Sequence, residues 1–222
     1  MLTIMTSVSL LSCLSLTLPT AGGSLHTDNV NVPDTWEYMF LTCLQPAVRG
    51  GESIMVSAFD VLHHLEAHHP ETLPVLQADF MWELRGFDDR FYKAPVLFFN
   101  NRSEPCFRWL REYLESAHAR SGVALTTDQQ HALDVLTATT ELPELQVHHA
   151  MTKGEVMFAN DMQVFHGRTT FYDAEPAQLQ YDFSKGTNRL LQRNWVATST
   201  DKYRRSNQSR YEYWTPEAVT AA

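Results

Sequence analysis

The sequence predicts a mainly β fold with a helical insert, and three observations carry that prediction. Apolar and aromatic strand-like runs open the chain between residues 36 and 56. Helical patterns with recognisable caps dominate residues 57–145. Strand character then returns in four short runs between residues 145 and 197. Strands, then helices, then strands is the order expected of one β core carrying an inserted helical segment.

The elements follow in order. Residues 36–44 (WEYMFLTCL) read as a buried strand, ended by Pro46, and Gly50-Gly51 turns the chain. Residues 53–56 form a short second strand. Ser57 then reads as a helix N-cap with Asp60 at the capping-box position, opening a helix over 58–68 that Pro70 stops. Residues 71–145 read as helical or irregular, with a strand at 95–99, helical periodicity over 107–119, and a helix over 131–139 capped from Thr126-Thr127-Asp128. Strands are expected again at 145–151, 155–158, 162–165 and 189–197. No internal repeat or low-complexity tract interrupts the chain. The organisation read from this is a leader (1–21), one domain (22–200, with its insert at about 57–145) and a C-terminal tail (201–222).

Composition narrows the function classes. The chain has 222 residues, 44% apolar and 19% charged, so it can bury a sizeable core and does not resemble a disordered segment. Its net charge is −9 with no Lys/Arg-rich run, which excludes a nucleic-acid backbone as the expected partner. Cys13, Cys43 and Cys106 are too few and scattered for a disulfide framework or thiolate metal site, which fits a reducing compartment. The leader contains an apolar stretch at 8–18. No basic residue precedes it, since the first is Arg49, and no A-x-A-like cleavage site follows. It is also too short and too rich in Ser/Thr to span a membrane. The expectation is a cytoplasmic protein with a small-molecule ligand, no nucleic-acid or membrane partner, and homo-oligomerisation as an option.

The ten histidines must be sorted. His63, His64, His68 and His69 fall on or just after the first helix without an H-E-x-x-H pattern, and read as solvated surface near a helix C-terminus. His148 and His149 face opposite sides of a strand, so they cannot share one metal. His118 and His131 are isolated. His26 and Asp28 differ, because residues i and i+2 of an extended segment share a face and their side chains converge. A third ligand is available at His166, in "NDMQVFHGRTTF", among strand-like residues. Two histidines and one carboxylate form the facial set used for non-haem Fe(II), although H-x-D with one distant histidine is a weak pattern alone.

A second pattern joins it. "NRLLQRNWV" places Arg189, Leu191 and Arg193 on one face of an apolar strand, where a buried arginine demands a carboxylate. That carboxylate is either a structural Asp or Glu or belongs to a cosubstrate; downstream of H-x-D and His166, the cosubstrate is favoured.

In this order, H-T-D, "GGESIMVSAFDV", "NDMQVFHGRTTFYD" and "LLQRNW" resemble the taurine dioxygenase family of Fe(II)/2-oxoglutarate-dependent enzymes, from about Gly22 to Ala197. The resemblance implies a double-stranded β-helix (jelly-roll) core with the helical insert between the two halves of the metal site. It implies His26, Asp28 and His166 as iron ligands, and Arg193 as partner of the distal carboxylate of 2-oxoglutarate. Ser53 falls where relatives often carry a threonine that hydrogen-bonds the cosubstrate, and Arg189 is an assisting cation. Asn160 and Arg168 flank the site. The implied reaction consumes O2 and 2-oxoglutarate, releases succinate and CO2, and hydroxylates or otherwise oxidises a small molecule, as in natural-product biosynthesis. Relatives carry a longer segment before H-x-D, whereas 25 residues precede His26 here. That motivates an alternative, a shortened or catalytically silent β-helix acting as a binding or partner subunit. A cupin-like metal site without a keto acid is the third reading. Trp82, Phe87, Phe91, Tyr92 and Trp109 in the insert read as core before substrate pocket.

Overall fold

Along the chain, β1 (Thr3–Val8), β2 (Gly23–His26), β3 (Tyr38–Gln45), β4 (Arg49–Gly50) and β5 (Ser53–Ser57) precede helices α1 (Ala58–His68) and α2 (Thr72–Gln77). Next come β6 (Asp79–Glu83), β7 (Phe91–Pro95), β8 (Leu97–Phe99), β9 (Pro105–Phe107), α3 (Arg111–Ser121) and α4 (Thr127–Thr140). The last elements are β10 (Gln146–His149), β11 (Val156–Asn160), β12 (Val164–Arg168), β13 (Phe171–Tyr172), β14 (Leu190–Ala197) and β15 (Tyr213–Trp214). This is a computed structural model; it describes residues 3–8, 23–33, 36–85, 89–173, 188–197 and 213–214.

Two four-stranded sheets carry the architecture. One has the order β1-β14-β3-β11 and the other β10-β5-β12-β2, and their strand pairs are antiparallel. Alternation along each strand assigns the faces. In the second sheet Val56 pairs with Phe165, and both point into the main core with Val61 and Leu65 of α1 and Leu133 and Leu136 of α4. The helices therefore cover that face. The opposite face carries Met55 and its cross-strand partner His166. Val164, on the same side as His166, packs with Met39, Leu41, Leu191 and Trp195 of the first sheet, so the two sheets meet there across a smaller apolar cluster.

Local chemistry explains the helix bounds. Ser57 caps α1 by accepting the Phe59 N–H at 3.2 Å, while Asp60 lies in the first turn without completing a capping box. The full box forms at α4, where the Gln129 N–H donates to Thr126 Oγ1 and the Thr126 N–H to Gln129 Oε1. That helix consequently begins at Thr127, four residues before the apolar pattern suggests.

Two expectations are corrected and a third is extended. The insert is largely helical and irregular, as expected, but four short strands, β6 to β9, run through it where the sequence suggests one at 95–99. Residues 107–110 are not helical, since Phe107 ends β9 and α3 starts at Arg111. The segment 162–165 opens with a single 3-10 turn, Asp161–Gln163, before β12. In the leader, Thr3–Val8 pairs with β14; the apolar stretch at 9–18, Cys13 and Phe87 lie outside the described residues, as does most of the tail. Among the described residues no helix is long and apolar enough to cross a membrane.

Candidate metal centre

His26 ends β2 and sits directly opposite His166 of β12 in the antiparallel pairing, with ring centroids 4.5 Å apart. Asp28, two residues on, projects from the same side of the chain. Its Oδ1 lies 3.6 Å from His26 Nε2 and 3.7 Å from His166 Nε2. The three donor atoms all fall within 4.8 Å of one another, and among the described residues this is the one such cluster of three or more His, Cys, Asp or Glu.

The chain around Asp28 is held from several sides. Thr27 points the other way and is fully buried. Its N–H donates to the Trp109 carbonyl at 2.7 Å, and its Oγ1 accepts the Trp109 N–H at 2.9 Å. The Asp28 N–H donates to Asp161 Oδ1 at 3.0 Å. Asn29 follows in a left-handed conformation (φ 57°), which Asn adopts more readily than most residues. Opposing strands, tethered turn and i, i+2 spacing together convert H-x-D into a convergent pair.

The protonation states suit a cation. His26 Nδ1 lies 2.7 Å from the Ser24 carbonyl, which makes Nδ1–H the donor there and turns Nε2 toward Asp28. Both ring nitrogens of His166 are buried without a hydrogen-bond partner. Burial, with the neighbouring His26 and Arg193, pushes the His166 imidazole down to about 3, so it is neutral at pH 7. Burial also opposes the charge on Asp28, but His166, a hydrogen bond with His26, and Arg193 outweigh it and hold the carboxyl well below its usual range. A neutral His166 with an orphaned buried lone pair, a second imidazole presenting Nε2 and an ionised carboxylate fit a divalent transition metal.

Arg193 stands on β14, and Arg189 lies just before that strand. Arg193 Nη1 donates to Asp28 Oδ1 at 2.7 Å, and Trp195 Nε1 donates to Asp28 Oδ2 at 2.9 Å. Asp28 is thus the carboxylate that Arg193 holds in this structure. Arg189 lies apart from the cluster, beside Gly51, its guanidinium over the Phe171 ring. Burial and nearby Arg168 bring it down to about 10, still protonated at neutral pH. It lines a cavity of about 220 Å³ with Cys43, Gly50, Glu52 and Leu191. Ser53 is buried on β5, on the same sheet face as His166 but one pair further along, opposite Arg168. Asn160 donates to Gln163 at 2.6 Å, and Arg168 stacks over Phe171.

A larger cavity, about 520 Å³, opens over the centre. His26, Asp28, Asn29, Trp36, Tyr113, Arg193 and Trp195 are among its walls. Trp82, Phe91, Tyr92 and Trp109 are core residues, as expected. The cavity aromatics Trp36, Tyr113 and Trp195 are not singled out by the sequence, because each sits inside an ordinary amphipathic pattern. Of the remaining histidines, His118 is a satisfied core residue that accepts the Met81 N–H and faces the Val123 carbonyl. His148 and His149 are exposed beside Glu52 and Glu155.

A mainly β chain with a His-Asp-His cluster between two sheets defines a class of mononuclear metal proteins. The particular family is given by a family model, "Taurine catabolism dioxygenase TauD, TfdA family", which matches residues 15–195; the chain belongs to that family. It is similar to the FR-33289 synthase of Streptomyces rubellomurinus (26% identity over 160 residues, 70% of this chain and 45% of that protein). It is also similar to the taurine hydroxylase-like protein SAT17 of Stachybotrys chartarum (23% over 151 residues, 68% and 38%). Among solved structures, an asparagine oxygenase in complex with Fe(II), 3-hydroxyasparagine and succinate aligns with a TM-score of 0.60 at 23% identity, covering 82% of this chain and 55% of that one. The non-heme iron oxygenase OrfP in complex with Fe and alpha-ketoglutaric acid aligns at 0.54 and 20%, covering 84% and 52%. The chain spans about half the length of these relatives or less.

Proposed function

We propose that this chain is an Fe(II)/2-oxoglutarate-dependent oxygenase that hydroxylates or otherwise oxidises a small molecule, in the manner of its biosynthetic relatives. The carrying observation is the convergence of His26 Nε2, His166 Nε2 and Asp28 Oδ1 within 4.8 Å. Family membership over most of the chain supports the same reading. The two facing sheets, with the helices outside one of them, agree with a jelly-roll core whose domain covers residues 22–200.

His26, His166 and Asp28 would hold the metal. Iron bound there with 2-oxoglutarate supplies the oxidising chemistry of the family, in which O2 is consumed and 2-oxoglutarate leaves as succinate and CO2. The chain's own residues do the rest. The Ser24 carbonyl accepts from His26 Nδ1–H, which turns Nε2 toward Asp28. Burial keeps His166 neutral and ready to ligate without first losing a proton. Arg193, at the cavity wall, provides the positive charge for the distal carboxylate of the keto acid, with Arg189 and the Ser53 hydroxyl as further groups toward it. Trp36, Tyr113 and Trp195 give the larger cavity an apolar lining that excludes water and positions a small substrate.

Anaerobic addition of Fe(II) and then 2-oxoglutarate tests the reading. A visible metal-to-ligand charge-transfer band is expected, weakened when Arg193 is replaced by Ala and abolished in His26→Ala. No band, together with no succinate formed in air, would refute the enzyme and favour a silent binding subunit. A metal-loaded protein indifferent to 2-oxoglutarate would favour the cupin-like reading.

A further inference from the structure

Asp161 is fully buried, yet it forms no ion pair with a lysine or arginine among the described residues. Its Oδ1 accepts the backbone N–H of Asp28 at 3.0 Å, and its Oδ2 is buried without a partner. An acid placed there, beside the Asp28 carboxylate, is costly to bury, and repulsion from Asp28 adds to that cost. An apolar side chain would fill the space without the penalty. What it could not do is accept the Asp28 N–H, which would then be an orphaned donor at the centre of the site.

The position of Asp161 gives that bond its meaning. It lies in the 3-10 turn that leads into β12, five residues before His166, and its own N–H is fixed to the Glu37 carbonyl at 3.0 Å. The bond therefore ties the segment carrying the third donor to the turn carrying the second, across 133 positions of sequence. The turn needs such a tie, because the pairing of β2 with β12 ends at His26 and the chain swings away through left-handed Asn29. Thr27 is anchored to Trp109 on the other side.

We propose that Asp161 is a positioning residue for Asp28, whose carboxyl oxygen holds the backbone of the H-x-D turn so that the Asp28 side chain stands between the two imidazoles. This rests on the iron-site reading above. Asn at this position accepts the same N–H without the acid, so the role belongs to the acceptor oxygen and not to the charge.

The test uses Co(II), an air-stable probe for the Fe(II) site, titrated by its visible spectrum into the full chain, and hydrogen exchange of the Asp28 amide in the metal-free protein. Asp161→Asn is expected to bind Co(II) within about threefold of the parent chain. Asp161→Ala is expected to lose about 10- to 100-fold in affinity, the range for removal of a group that orients a ligand, with its far-UV circular dichroism unchanged. Its Asp28 amide should exchange at least about tenfold faster. Parent-like Co(II) binding by Asp161→Ala would overturn the proposal, as would an equal loss in Asp161→Asn. Should Asp161→Ala not fold, unprotected exchange at Asp28 in the parent or in Asp161→Asn overturns it, and protection in both supports it. Failure of the parent chain to bind Co(II) refutes the metal reading separately, while amide exchange still reports on Asp161.

Discussion

Asp28 Oδ1 faces both imidazoles and also accepts from Arg193, so a metal and a guanidinium claim the same oxygen. Removing the guanidinium with Arg193→Leu should therefore have opposite effects on two quantities. In the metal-free protein it strips a buried carboxylate of its cation. Asp28 is 6% exposed and Arg193 20%, so the pair is close to the buried limit, where loss of one partner costs about 3–5 kcal/mol. Trp195 Nε1 still donates to Oδ2, which brings the expected loss nearer to about 2–3 kcal/mol. Metal binding in the parent must share or surrender a charge-assisted bond of about 1.5–3 kcal/mol, and the variant has none to surrender. Without 2-oxoglutarate, Co(II) should then bind the variant about 10- to 100-fold more tightly, as each 1.4 kcal/mol is about tenfold. Denaturant unfolding of the metal-free chains measures the first effect, and spectral titration with Co(II) the second. Weaker Co(II) binding by the variant would refute the reasoning, because Arg193 would then be supporting the ligand and not competing for it.

Three further outcomes follow from the same structure. Phe165 is fully buried against Phe107 at 4.9 Å, so Phe165→Ala should cost about 3–5 kcal/mol in denaturant unfolding; a loss under about 1 kcal/mol would mean the core is not packed this way. Thr27→Val keeps the shape but leaves the Trp109 N–H without its acceptor, for an expected loss of about 1–3 kcal/mol read as a lower midpoint, and an unchanged midpoint would count against the tether. His166, pushed down to about 3, binds its proton less readily when folded than when unfolded, so its contribution to stability falls as pH drops below about 6.5. Asp161, raised by burial and Asp28, acts in the opposite sense as pH rises. In metal-free Asp161→Asn, which removes that opposition, stability should fall by about 2 kcal/mol between pH 6.5 and 5, at about 1.4 kcal/mol per unit. The slope should become clearly shallower when His166 is also replaced by Gln, leaving the contribution of His118, whose imidazole burial also pushes down, and an unchanged slope excludes His166 as a source.

The part of the site legible in the sequence is the part set by short-range geometry. His26 and Asp28 converge because two positions separate them in extended chain, and Arg193 reads as buried because its strand is otherwise apolar. The identity of its partner is not local, and the oxygen it holds lies 165 positions away. Asp161 is missed for the same reason. In "AND" it reads as a polar turn residue, and only its 0% exposure and the remote Asp28 N–H distinguish it. In the fold, α1 was legible to the residue from Ser57 and Pro70. Strands β6 (DFMWE) and β7 (FYKAP) were not, since four of five residues in each are buried and the alternation that betrays a half-exposed strand is absent.

β2 is four residues long and lies at the outer border of its sheet, bonded on one side to β12 and on the other to no strand among the described residues. Two of the three donors therefore lie at the end of, or just past, a strand held on one side only. A slip of one residue against β12 would turn His26 to the opposite face and scatter the three donors. The cluster is thus a proofreader of strand alignment: it exists only in chains whose border strand has docked in the correct frame. An ion captured by all three groups would then act as a rivet on that border, rewarding the aligned state alone and closing an exposed sheet margin to pairing with other chains.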